Sequence, residues 1–424
     1  MGSRVSVVEV TGPLAGVAER FRVALVEQGY TSLSAANQLR LLAHVSRWME
    51  SESLSSAELG DVELERFLAA RRRSGYTCWL SWRGLRPLVT VLRADGVIPG
   101  PLVPALSVVD VLVAEFVEFL CVEKGLAPST VAGRERVARR FLAEVCVEGL
   151  SAADVVAYAG AMAQGFAVGM AKLELTGLRS LLRFLHVSGR VGADLSVAVL
   201  AAAGWRDTGV PKGLSDGEVA GLLAVCDAGR PAGRRDRAVV LLLLRLGLRR
   251  GEVARLRLDD IDWRAGEVTI VGKANRAERL PLPVDVGEAL SNYLVHERPT
   301  GTGARAVFVR VRAPQGPMTS GSVGAVVQNL AARAGLVGVG AHRLRHTAAM
   351  AMLREGADLV EIGQVLRHRN LATTTIYAKV DLVRLRRLAR RWPQPVVAAT
   401  EHERQRRSLA LAWPTRVHAL EVAS

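Results

Sequence analysis

The sequence predicts a mainly α chain: two tandem small helical domains, then an α+β domain with a small antiparallel sheet. Three observations lead there. The apolar mass is Leu, Val and Ala, and aromatics make up only 5% of the 424 residues, a balance that favours helices. The front half repeats itself at an offset of about 95 residues, with Phe21 falling opposite Phe116. One stretch, "GEVTIVGKANRAERLPLP" (Gly266–Pro283), alternates in strand fashion around a Gly-Lys-Ala-Asn turn, which is a hairpin signal.

The repeat has three matching points. "FRVALVEQGYTSLS" (Phe21–Ser34) parallels "FVEFLCVEKGLAPST" (Phe116–Thr130), and "LSSAEL" (Leu54–Leu59) parallels "LSAADV" (Leu150–Val155). "GLRPLVTVLRADGVI" (Gly84–Ile98) matches "GLRSLLRFLHVSGRV" (Gly177–Val191). Each copy reads as a helix ending at a Gly, a Ser/Thr-capped helix, and a last helix that opens with "GLR" and closes at a Gly stop. The copies define domains 15–100 and 108–205, joined by "PGPLVPALS" (Pro99–Ser107). A Pro/Gly linker follows, and Ser215 with Glu218 forms a capping box that opens domain 214–392. There an apolar helix, "RAVVLLLLRLGL" (Arg237–Leu248), precedes the hairpin, and helical patterns resume from Asp285 to Val380. Residues 393–424 form a C-terminal tail.

Formal net charge is +15, from 56 Lys+Arg against 41 Asp+Glu, an excess that suits a polyanion such as nucleic acid. Cys78, Cys121, Cys146 and Cys226 are scattered without a CxxC pair, so reduced, buried thiols of a cytosolic protein are expected, and neither a disulfide framework nor a zinc ribbon. The uncharged run "VVAYAGAMAQGFAVGMA" (Val155–Ala171) is too short and too rich in Ala and Gly to span a bilayer, and reads as packed helix.

"GAHRLRHTAAM" (Gly340–Met350) crowds two histidines and two arginines into five positions. His342 and His346 stand at i, i+4, as two metal ligands on one helix face would. Arg343 and Arg345 raise the local positive potential, however, and no carboxylate lies nearby, so no metal is expected. Guanidinium forks match a phosphate instead, and His342 and Arg345, three apart, face one side of a helix.

Five segments in order then carry a resemblance: "LGLRRGEVARL", "VGKANRAERLPL", "HRLRH", "LRH" and "TTTIYAKV". Together they resemble the catalytic domain of the tyrosine recombinases, the phage-integrase family, and the first repeat resembles the extra N-terminal helical domain of longer, actinobacterial mobile-element integrases. The resemblance implies a tyrosine-recombinase catalytic domain over 214–392, a core-binding domain over 108–205, and an additional arm-like domain over 15–100. It further implies that Arg249 and Arg345 grip the scissile phosphate, that Lys273 is the hairpin lysine, that His342 and His368 fill the two histidine positions, and that Tyr377 is the nucleophile. His346 reads as structural support.

Two departures are visible. Arg367 stands where the family's "L-G-H" motif has Gly, which puts the turn geometry in question because Gly often marks positive φ. Arg343 follows His342 where many members have Asp, and is expected to point outward, towards DNA.

The implied activity is site-specific DNA cleavage and rejoining through a 3′-phosphotyrosyl intermediate, with no metal, ATP or other cofactor. A phenol near pKa 10 needs help to attack phosphorus, and fixed guanidinium charge, with a protonated or hydrogen-bonding His368, supplies it. The expected partners are double-stranded DNA, a homo-tetramer assembled on it, and in some settings partner recombinases. The expected location is cytoplasmic and nucleoid-associated. Two alternatives stay open: a type IB topoisomerase, which shares the chemistry, and an architectural DNA-binding protein without activity.

Overall fold

The computed structural model describes residues 8–100, 106–201, 212–226, 229–272, 277–300, 303–368, 374 and 376–377. Its buried apolar side chains gather into three large clusters that succeed one another along the chain, from Leu14 to Ile98, from Leu112 to Val199 and from Leu214 to Leu344. The fold is mainly α with one small antiparallel sheet, the class the sequence predicts.

The first unit holds α1 (Ala18–Glu27), α2 (Ser32–Ser51), α3 (Asp61–Arg73) and α4 (Trp82–Ala94). Phe21 and Leu25, one turn apart on α1, are buried in its core. Thr31 caps α2 by accepting from the Ser34 N–H at 3.3 Å. The second unit repeats the plan with α5 (Val108–Val122), α6 (Pro128–Glu144), α7 (Ala152–Gln164) and α8 (Val168–Val187).

The repeat differs from the sequence expectation in two details. Helix α6 starts with Pro128 at its first position rather than behind a Ser/Thr cap, because Pro has the helical φ already set and lacks only an N–H that would go unpaired there. The "GLR" of the second copy lies inside α8, which begins nine residues earlier at Val168. A Cβ on Gly177 would come within 2.9 Å of Val137 Cγ2, so this Gly allows α8 to lie close on α6. The run Val155–Ala171 is broken at Gly165 into the end of α7 and the start of α8. Among the described residues no helix is long and apolar enough to cross a membrane.

The cysteines correct another expectation. All four are free, but only Cys226 is buried. Cys121 stands on the solvent side of α5, whose core face is taken by Phe116, Phe119 and Leu120. Cys78 and Cys146 lie in loops, and the Cys146 thiol donates to Glu148 at 2.8 Å.

In the third unit Ser215 and Glu218 form the capping box of α9 (Asp216–Ala224). Helix α10 (Gly233–Arg245) is buried all round from Ala238 to Leu244 and packs against α12 (Val284–His296), α13 (Ser320–Arg333) and α14 (Ala341–Arg354). Between α10 and α12 come the short α11 (Arg250–Arg255) and the strands β1 (Ile261–Asp262), β2 (Glu267–Val271) and β3 (Ala277–Pro281), in order β1-β2-β3. Val268 pairs with Leu280 and Val271 with Ala277, so the two strands of the predicted hairpin are antiparallel neighbours, and its expected Lys-Ala-Asn turn lies outside the described residues. Residues 297–300 and 303–319, expected to be helical, instead run as loop and isolated bridges. The backbone here pairs with the α11–β1 connection, as in Arg257 with Ala306. Helix α15 (Leu359–Val365), boxed by Asp358 and Glu361, ends the described helices.

Candidate active site

The pocket begins where α10 turns into α11. Gly247 sits at φ 57, where a Cβ would also press on the Leu366 side chain, so the turn favours Gly. The chain then places Arg249 as the N-cap of α11. Glu252, three residues on and 4% exposed, reaches back to it. Its Oε2 accepts from the Arg249 backbone N–H at 2.8 Å, and its Oε1 accepts from Arg249 Nη1 at 2.7 Å.

Helix α14 carries His342, Arg345 and His346 on one face. Arg345 is 3% exposed. Its Nη1 donates to the Gly247 carbonyl and its Nη2 to the Leu366 carbonyl. Arg249 Nη2 donates to the next carbonyl, that of Arg367, at 3.1 Å. Successive carbonyls of one turn therefore hold the two arginines.

That turn depends on Arg367, whose φ is 54. The left-handed conformation that Gly would supply is kept by a residue with a side chain, at a cost of about 1–2 kcal/mol. The Arg367 side chain folds underneath, 4% exposed, and donates to Glu252 Oε2 at 2.9 Å and to the Val365 carbonyl at 2.9 Å. Burial alone would raise the Glu252 carboxyl. The Arg367 charge and the Arg249 hydrogen bonds more than offset it, holding the group below the usual carboxylate value.

Arg249, Arg250, Gln328, His342 and Arg345 line a cavity of about 450 Å³ between α11, α13 and α14. Burial, followed by Arg249 and Arg367, pushes Arg345 down to about 9, so it stays cationic at neutral pH.

Tyr377 lies beside this cavity rather than in its lining. It is 1% exposed and packs with Ala349, Ile362 and Leu366 in a small apolar cluster between α14 and α15. Its hydroxyl is 2.8 Å from His346 Nδ1. The His346 ring in turn meets His342 edge to face, with centroids 4.3 Å apart. Burial raises the Tyr377 phenol above its ordinary value, with Arg345 opposing. His368 Nδ1 is 2.7 Å from Thr374 Oγ1. Burial, then Arg345 and Arg249, pushes His368 down to about 4. Burial, then His342 and Arg345, does the same to His346. Both rings are therefore neutral at pH 7.

The structure thus brings Arg249, His342 and Arg345 into one cavity and puts His368 and Tyr377 next to it. Lys273 lies outside the described residues, as does the chain from Ala378 onwards. Arg343 does not point to open solvent. Its Nε donates to the Lys212 carbonyl at 3.2 Å, and it faces Glu218 at 3.7 Å, so it ties α14 to the start of the unit. Sequence reasoning passed over Glu252, read Arg367 only as a departure at the turn, and gave His346 no part at the phenol. Signals for the first two were present: a Glu three residues after Arg249, and an Arg where a positive φ is required.

A model of the phage integrase family matches residues 212–383. A putative integrase/recombinase of Sinorhizobium fredii is 36% identical over 398 residues, covering 90% of this chain and 95% of that one. The tyrosine recombinase XerD of Mycobacterium tuberculosis is 32% identical over 295 residues, 64% of this chain and 93% of that one. Among solved structures, XerH site-specific recombinase bound to its palindromic difH substrate superposes with TM-score 0.54 at 15% identity, over 78% of this chain and 95% of that one. A lambda integrase tetramer bound to a Holliday junction superposes with TM-score 0.50 at 15% identity, over 68% of this chain and 86% of that one.

Proposed function

The chain belongs to the phage integrase family of tyrosine recombinases, enzymes that cleave and rejoin DNA, and on that premise we propose that Tyr377 is its nucleophile and that Arg249 and Arg345 hold the scissile phosphate. The observation that carries this is the convergence of the two guanidiniums on one cavity, each fixed by a carbonyl of the 366–367 turn, beside a phenol already in a hydrogen bond.

In this reading the phosphodiester enters the cavity and meets charge that needs no reorganisation. The Tyr377 oxygen bonds to phosphorus as the bond to the 5′-oxygen breaks. A 3′-phosphotyrosyl link and a free 5′-hydroxyl result. The phosphoester bond is conserved in energy, so a second 5′-hydroxyl reverses the step without ATP. The proton on Tyr377 has His346 as its nearest acceptor, with His342 against that ring. An incoming phosphate adds negative charge nearby, which makes a proton on His346 easier to hold. Lys273, which follows β2 in the sequence, would protonate the departing 5′-oxygen, and His368 would donate to the phosphate.

The two front units, 15–100 and 108–205, would close around duplex DNA with the catalytic unit, mostly through phosphate contacts. A homo-tetramer on a paired junction, partner recombinases, and a cytoplasmic, nucleoid-associated location belong to the same proposal. The lambda integrase tetramer on a Holliday junction supports the assembly by likeness of fold alone. The test is a pool of nicked duplex suicide substrates. Wild type is expected to form a covalent protein–DNA adduct that Tyr377→Phe abolishes. An adduct that survives this substitution ends the assignment. Supercoil relaxation without site pairing would favour the topoisomerase reading.

A further inference from the structure

We propose that Arg367 is a positioning residue for strand cleavage. Its buried guanidinium neutralises Glu252, so that Glu252 can orient Arg249 without consuming the charge that Arg249 presents to the phosphate. The inference rests on the reading of Arg249 as a phosphate ligand.

Glu252 is a costly choice for orienting a catalytic arginine. It is a buried carboxylate in direct contact with that arginine, through the backbone N–H at 2.8 Å and Nη1 at 2.7 Å. A carboxylate so placed sets the geometry of the guanidinium, and it also cancels much of its field. Arg367 resolves the conflict from the other side. Its Nη2 reaches the same Oε2 at 2.9 Å, and both side chains are almost wholly withdrawn from water, at 4% and 2% exposure. Screening by solvent is weak there, so the compensation is not lost to counterions.

The charge balance follows. Arg249 and Arg367 pair with one carboxylate and Arg345 adds a third positive charge nearby, which leaves two positive charges for the pocket. Without the Arg367 side chain only one remains. The Arg367 carbonyl holds Arg249 Nη2 at 3.1 Å, so one residue acts on Arg249 through its backbone and through its charge. Its placement also opposes local preference. Arg367 holds φ 54, and its Nε is buried with no hydrogen-bond partner among the described residues. A residue kept in a conformation suited to Gly, with one donor unpaired, is doing something that Gly would not.

The test is single-turnover adduct formation on a nicked duplex at saturating protein, with DNA affinity and melting temperature measured on the same preparations. The variants are Arg367→Lys, Arg367→Met and Arg367→Gly. Lys keeps the charge, Met keeps much of the shape without it, and Gly relaxes the backbone. The expected rate order is Arg above Lys, and Lys above Met and Gly, with the uncharged variants slower by about tenfold or more and DNA affinity little changed. A merely structural role gives another order. Gly is then the best substitute, because it alone is free of strain, and the rate follows the melting temperature. Met or Gly cleaving at the wild-type rate overturns the proposal while leaving Tyr377 and Arg249 in place. Failure of wild type to form an adduct overturns the reading of the site itself, and this inference with it.

Discussion

At the scale of single residues the site is defined by charge kept out of water. His346 and His368 are both held near 4, and an unfolded chain titrates histidine near 6.5. Between those values the unfolded state binds protons that the folded state refuses. Stability is therefore complete above about pH 6.5 and is lost as the pH falls towards about 4. The slope is at most about 1.4 kcal/mol per pH unit for each ring, and less where ring edges meet solvent. Thermal melts should show a lower midpoint at about pH 5 than at about pH 7.5. His346→Gln, which keeps a hydrogen-bonding partner for Tyr377 but does not titrate, should make that fall shallower. A midpoint that holds steady across this range would mean that the two rings are protonated in the folded molecule. The residue types at these positions were legible in the sequence. The bond between His346 and Tyr377 was not, because it joins α14 to a residue 31 positions further on, and only the packing of Ala349, Ile362 and Leu366 brings the two together.

At the scale of elements, spacing and caps carried most of the information. The capping box at Ser215 and the strand alternation of Gly266–Pro283 depend on neighbours a few residues away, and both elements stand where the sequence put them. The start of α8 was misjudged because a Gly inside a helix looks like a boundary. Its reason for being there is tertiary. A helical Gly gives up about 1 kcal/mol relative to Ala, and here that loss allows contact with Val137, whose Cγ2 would lie 2.9 Å from an added Cβ. Gly177→Ala should therefore lower the urea midpoint, by about 1–2 kcal/mol in stability, despite its better helix propensity. Adding Val137→Ala should recover part of the loss by removing the clash. A Gly177→Ala chain more stable than wild type would show that α6 and α8 have room to separate.

At the scale of the whole molecule, three cores share one chain, and a backbone bond from the Gln315 N–H to the Gln28 carbonyl, at 2.8 Å, links the third unit to the first. A net charge of +15 spread over such a chain makes duplex binding an ion-exchange process. Affinity should fall by on the order of a thousandfold between about 50 and 200 mM salt, checked by fluorescence anisotropy, and a flat response would mean that phosphate contacts are few. The sequence by itself determined the class of fold, the front repeat and the residue types of the pocket, because periodicity, caps and a run of ordered motifs are written in local spacing. Only the tertiary structure decided that Glu252 answers to two arginines, that consecutive carbonyls at 366 and 367 hold the guanidiniums, and that Arg367 takes the left-handed turn with its charge turned inward. Arg249 and Arg367 are 118 positions apart, and no local pattern records that Glu252, three residues from the first, will also meet the second.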